Sequence, residues 1–159
     1  MRQKLLDISV KLMSSHASGM MGLTMQKKHC SSILLNNEVI AVGFNRFKTS
    51  QIAYEFGYIH GEYHSELDAL IQVHGDMANH KRSELALINF RVNRFSSVGI
   101  SRPCPKCIRW AHGLFGTFVY TNADGCLVME DTSSGKTELL IDSKELRKTL
   151  GWKEEACRV

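Results

Sequence analysis

The sequence predicts an α/β fold, a three-layer α/β/α sandwich around a mixed five-stranded sheet, and three stretches carry that reading. Leu85 to Val92 is apolar almost throughout, as expected of a central strand covered on both faces. Two polar motifs each lead into a helical pattern: His64-Ser65-Glu66 before Leu67, Leu70 and Ile71, and Ser101-Arg102-Pro103 before a run from Cys104 to about Leu114. Finally, Thr121-Asn122-Ala123-Asp124-Gly125 leaves no room for a crossover helix. The last two strands, Phe118 to Tyr120 and Cys126 to Glu130, therefore form an antiparallel hairpin.

The remaining elements follow in order. Leu5, Ile8, Leu12 and Met13 fall at helical spacing, so Gln3 to Ser14 is an amphipathic helix that covers one face of the sheet. Met20, Met21 and Met25 read as core or interface filler. Ser31 to Leu35 and Val39 to Phe44 are strands joined at Asn36-Asn37, because Asn tolerates positive φ. Arg46 to Tyr63 has no clean period and reads as a loop over the pocket; any of Phe47, Tyr54, Phe56, Tyr58 or Tyr63 is a candidate to stack on a base or simply to anchor the loop. The helix that starts at Ser65 is expected to reach His74, with a turn at Gly75-Asp76. After the hairpin, Thr137 to Ile141 is a candidate added strand, and Ser143 is expected to cap a helix through Leu150.

His64, Cys104 and Cys107 are three metal ligands by type and spacing. Catalytic zinc is held by three protein nitrogen or sulfur atoms and keeps a fourth position for water. The ion lowers the pKa of that water from about 15.7 towards about 7. Glu66, two residues past the histidine, is placed to move protons rather than to bind the metal. A C-x-x-C pair alone is as readily a structural zinc knuckle or a redox pair; the combination with His64, Glu66 and Pro103 favours the catalytic reading.

Histidine-x-Glu followed by Pro-Cys-x-x-Cys is the pattern of zinc base deaminases, and the chain resembles the cytidine deaminase-like superfamily over roughly residues 30 to 130. The resemblance implies one catalytic Zn2+ held by His64, Cys104 and Cys107, with Glu66 as proton shuttle. It also implies that Asn45 contacts the sugar, and it makes Ser101, Pro103 and Tyr120 candidate substrate-binding residues. The chain departs from the pattern at Ser65, where most relatives carry alanine, and Pro105-Lys106 matches no subfamily signature. The closing hairpin looks like the cytidine and blasticidin deaminase branch, although bacterial toxin deaminases of nucleic acid share it. The implied reaction is hydrolytic deamination of a free cytosine nucleoside or nucleotide. The alternatives are a single-stranded DNA or RNA base deaminase, or a catalytically inactive zinc-stabilised binding protein. A homo-oligomer is expected from the resemblance alone.

Composition narrows the setting. With 159 residues, 43% hydrophobic and 23% charged, one domain over 1–159 is expected, with a core of about 30–130 and an extension at 131–159. A net charge of +4 suits anionic small molecules and does not require a polynucleotide. Arg91, Arg94, Arg102, Lys106 and Arg109 crowd the cysteines and are candidates for meeting a phosphate. Asp7 and Lys11 interrupt any signal-like apolar run, and no stretch is long enough to span a membrane. Of five cysteines, Cys30, Cys126 and Cys157 suggest no disulfide framework, which points to a reducing cytoplasm.

Overall fold

Alternating side chains along the central strands decide the layers. In the computed structural model, which describes residues 1–20, 28–46, 51–58, 64–92 and 98–152, β1 (Lys28–Leu35) and β3 (Leu85–Val92) send successive residues to two separate cores. Ile33 and Leu87 pack with Leu67, Leu70, Ala111 and Phe115 on one face. Leu34, Ala86, Ile88 and Phe90 pack with Leu5, Met13 and Leu146 on the other. Two covered faces make the expected three layers: α3 (Ser65–Met77) and α4 (Pro105–Leu114) on the first, α1 (Arg2–Met20) and α5 (Ser143–Thr149) on the second.

The sheet is larger than the five strands expected. Its order is β2 (Glu38–Phe44), β1, β3, β5 (Thr117–Thr121), β6 (Leu127–Asp131), β7 (Thr137–Ile141), a path of six, and the short β4 (Val98–Gly99) pairs with β3 as a seventh. The candidate strand at Thr137 to Ile141 is the addition. Its turn forms because Asp131 Oδ1 accepts from the backbone N–H of Ser133 at 2.8 Å and Ser134 at 3.3 Å, while Gly135 takes φ of 69°. The stretch described as an extension thus adds a strand to the same sheet, and its helix buries Leu146 in the same core.

The predicted turns hold. Asn36 and Asn37 adopt φ of 50° and 65° between β1 and β2, which pair antiparallel. At the second hairpin Asn122 Oδ1 accepts from the N–H groups of Asp124 and Cys126, both at 3.0 Å, and Gly125 takes φ of 75°. β5 runs parallel to β3 and antiparallel to β6, the mixed pattern the short connection requires.

Three boundaries differ from expectation. The first helix continues past Ser14 to Met20. The helix begun at Ser65 passes through Gly75-Asp76 to Met77, whose side chain is buried and holds the extra turn on the core. The last helix is capped by Asp142, whose Oδ1 accepts from Glu145 N at 2.9 Å, so the cap lies one residue before Ser143. A short helix, α2 (Gln51–Glu55), interrupts the supposed loop at 46–63. Met21, Met25, Phe47, Tyr63, Arg94 and Cys157 lie outside the described residues.

Candidate active site and metal centre

His64 and Cys104 occupy equivalent places on two neighbouring helices. Each is the N-cap, of α3 and α4 respectively, with nearly the same extended backbone, φ/ψ of −77°/163° and −69°/164°. His64 makes no capping bond to its own helix, and Cys104 turns its sulfur towards Cys107 in the first turn of α4 and towards His64. The chain's two prolines, Pro103 and Pro105, flank Cys104; the second sits at the start of α4, where its fixed φ suits the first turn.

The three predicted ligands meet. His64 Nδ1 lies 3.3 Å from Cys104 Sγ and 3.4 Å from Cys107 Sγ, and the two sulfurs are 3.7 Å apart. A tetrahedral zinc with Zn–S of about 2.3 Å and Zn–N of about 2.0–2.1 Å has S···S edges of about 3.8 Å and S···N edges of about 3.5 Å. The triangle fits such an ion, and these residues form a group able to hold a metal. The electrostatics agree. The hydrogen bond with Cys107 and the nearby His64 hold the Cys104 thiol at about 3 despite its partial burial. The bond with Cys104 and burial push Cys107 up. His64 is raised by its bond to Cys104. Two converging helix N-termini add their positive dipole ends.

Glu66 is 3% exposed and lies in the first turn of α3. Burial raises its pKa, partly opposed by hydrogen bonds that include one from Asn89, and its charge is felt by both His64 and Cys107. Asn89 Nδ2 donates to Glu66 Oε1 at 2.8 Å, and Ser65 Oγ donates to Oε2 at 3.4 Å. A buried carboxyl with a raised pKa is suited to exchange protons with a bound water and substrate. Sequence reasoning missed Asn89; the signal was a lone amide inside the apolar run Leu85 to Val92. It also missed Ser31, whose hydroxyl lies 2.6 Å from that of Ser65 and ties α3 to β1, giving this chain's serine a role alanine cannot fill.

Asn45 lies beside the site. Its Oδ1 accepts from Ser65 N at 2.9 Å, satisfying a free donor of the first turn of α3. The strand end is fixed there because Gly43 packs on the α3 backbone and Asp68 accepts from Phe44 N and Arg46 Nε. Ser101 is buried and fully engaged. Its Oγ donates to Asn89 O at 2.8 Å and lies 2.7 Å from Thr121 Oγ1, linking the cysteine loop to β3 and β5. Pro103 is buried beside the ligands. Tyr120 donates to Glu130 Oε2 at 2.8 Å, and Arg102 makes a two-pronged ion pair with the same carboxylate at 3.2 and 3.1 Å. Of the candidate bases, Arg102 is thus held by Glu130, Arg91 stands opposite Gly99 in the β3–β4 register, and Lys106 and Arg109 are exposed on α4. Among the candidate aromatics, Tyr54 is exposed, Phe56 packs edge-on to His74 and Trp110, and Tyr58 is buried against His64.

The mixed sheet and the His-Cys-Cys cluster fit a cytidine deaminase-like fold. Comparison with solved structures returns a cytidine deaminase from Burkholderia pseudomallei, at a TM-score of 0.42 and 18% identity, covering 68% of this chain and 77% of that one. No family model and no curated protein matches the sequence. Among the described residues no helix is long and apolar enough to cross a membrane.

Proposed function

We propose that the chain is a zinc-dependent hydrolytic deaminase that converts a free cytosine nucleoside or nucleotide to its uracil form. The observation that carries this reading is the pairing of a zinc-sized His64, Cys104, Cys107 triangle with a buried Glu66 in the first turn of the helix that His64 caps. Zinc held by His64, Cys104 and Cys107 would supply a water acidic enough to ionise near neutral pH. Glu66 would accept one proton of the attacking water and pass it to N3 as the oxygen adds to C4, then carry the second proton of that oxygen to the exocyclic amine as the C4–N bond breaks. The sum is one water in, a C4 carbonyl and ammonia out. Asn89 fixes Oε1 of Glu66 through the 2.8 Å bond, and Oε2, which carries only the long 3.4 Å bond from Ser65, serves in proton transfer. We assign Asn45 to the sugar and Pro103 to the pocket wall beside the ligands. Ser101 and Tyr120 act in this reading by holding the cysteine loop and the β5–β6 hairpin in place, since their hydroxyls are already engaged.

A mass-spectrometric screen of the zinc-loaded protein tests the proposal. Cytidine, deoxycytidine, their monophosphates, the purine counterparts, and single-stranded DNA and RNA are offered side by side, with Glu66→Gln as control. Conversion of a free cytosine compound, abolished in the control, supports it. Conversion of polymers alone, weakening steeply with salt as phosphate contacts release counterions, replaces it with nucleic-acid deamination. Zinc binding without any conversion replaces it with a binding protein.

A further inference from the structure

The buried hydroxyl of Tyr58 belongs to no step above, yet it lies 2.9 Å from Cys107 Sγ. The ring is fixed from two sides. It packs edge-on to the His64 imidazole with centroids 5.6 Å apart, and Trp110 Nε1 donates to the phenol oxygen at 3.4 Å. The direction of the first bond follows from chemistry. An indole N–H can only donate, so Trp110 takes a lone pair of the Tyr58 oxygen. A metal-bound cysteine is a thiolate with no proton to give. The phenol hydrogen must therefore point at the sulfur.

We infer that Tyr58 is a positioning residue of the metal centre, donating its O–H to the Cys107 thiolate in a Trp110–Tyr58–Cys107 relay that sets both the place and the electron density of that ligand. The inference rests on the metal reading of the cluster, not on deamination. Tyr58 and Trp110 come from different segments, the end of the α2 loop and the middle of α4, and the relay joins them at the one ligand that is wholly buried. A neutral donor withdraws density from sulfur without adding a net charge to the site. Partners of this kind typically carry about 10–100-fold in metal affinity when removed.

The test uses the full chain in three forms: wild type, Tyr58→Phe, which keeps the ring and deletes one oxygen, and Trp110→Phe, which deletes the orienting N–H. Zinc affinity is read by competition with a chromophoric chelator, and the sulfur-to-metal charge-transfer band is read after cobalt substitution. Tyr58→Phe is expected to bind zinc about 10–100-fold more weakly and to shift the cobalt band to lower energy, because a sulfur relieved of a hydrogen bond gives up its electrons more easily. Trp110→Phe is expected to do the same to a smaller extent. Should Tyr58→Phe fail to fold, as judged by circular dichroism, Trp110→Phe supplies both readouts. An unmoved cobalt band, with or without lost affinity, overturns the inference, since a ring that only fills space leaves the sulfur's electrons alone. A wild type that binds no metal overturns instead the metal reading beneath it.

Discussion

The two faces of the sheet are built on different terms. On the face under α1 and α5, β1 and β3 contribute Cys30, Leu34, Ala86, Ile88 and Phe90, packed against Leu5, Met13 and Leu146, with only the small hydroxyls of Ser32 and Ser9 buried among them. On the face under α3 and α4 the same strands also bury Ser31 and Asn89, and the helix above them buries Ser65 and Glu66. Most of these polar groups have partners, Ser31 with Ser65, Asn89 Nδ2 with Glu66 and Ser65 N with Asn45, while Asn89 Oδ1 is buried without one among the described residues. Burying a polar group costs free energy that a hydrogen bond must offset, so a face that could be apolar throughout and is not has been shaped by something other than stability. The difference separates residues whose loss should unfold the chain from residues whose loss should only stop its chemistry.

The largest effect separates the faces most sharply. Glu66→Gln is expected to lower the deamination rate by about 10²–10⁴-fold while zinc content and melting temperature stay near those of wild type, because the amide keeps the shape of the carboxyl. Phe90→Ala, on the apolar face, should do the reverse. Truncating a fully buried Phe costs about 3–5 kcal/mol of stability, read by urea denaturation, with the rate per folded molecule unchanged. Gly43→Ala stands between them. A Cβ there would lie 2.3 Å from Ala69 N and Ser65 O. Overpacking of that severity should cost about 3 kcal/mol and, by pushing β2 off α3, also raise KM through Asn45.

pH sharpens the comparison further. Burial, with the charges of Arg91 and His64, lowers His29 from 6.5 to about 4. The unfolded chain takes up a proton near 6.5 and the folded one only near 4, so the unfolded state binds more protons in that window. The contribution of His29 should therefore be complete above pH 6.5 and be lost as pH drops from 6.5 to 4, with a slope approaching about 1.4 kcal/mol per pH unit. His29→Asn should flatten that limb in pH-dependent urea melts. The smallest effect is expected at the exposed Lys148–Glu145 pair on α5, 3.7 Å apart. Lys148→Ala should change stability by less than about 0.5 kcal/mol, on the face that carries no chemistry.

What the sequence made legible follows the same division. The metal ligands, the apolar strand at Leu85 to Val92 and both asparagine- or glycine-based turns were readable because each is a local pattern: a spacing, a run, a residue that tolerates positive φ. The sixth strand was harder, since Thr137 to Ile141 acquires its pairing only once Asp131 and Gly135 fold the turn before it. The continuation of α3 through Gly75 was illegible locally, because burial of Met77 in a distant core outweighs the weak helix propensity of one glycine. Asn89, Ser31 and Tyr58 were the hardest. Each matters through a partner 23, 34 or 49 positions away in the chain, and no spacing within the sequence announces such a pairing.

The account stands or falls on the pairing of a bound metal with a working Glu66, and one experiment addresses both. Metal content and ammonia release from cytidine and deoxycytidylate are measured on the same samples of wild type, chelator-stripped wild type and Glu66→Gln. The account predicts one zinc per chain and ammonia release for wild type, loss of both on stripping with recovery on zinc addition, and full zinc without ammonia for Glu66→Gln. Undiminished ammonia release from the stripped protein or from Glu66→Gln would contradict it.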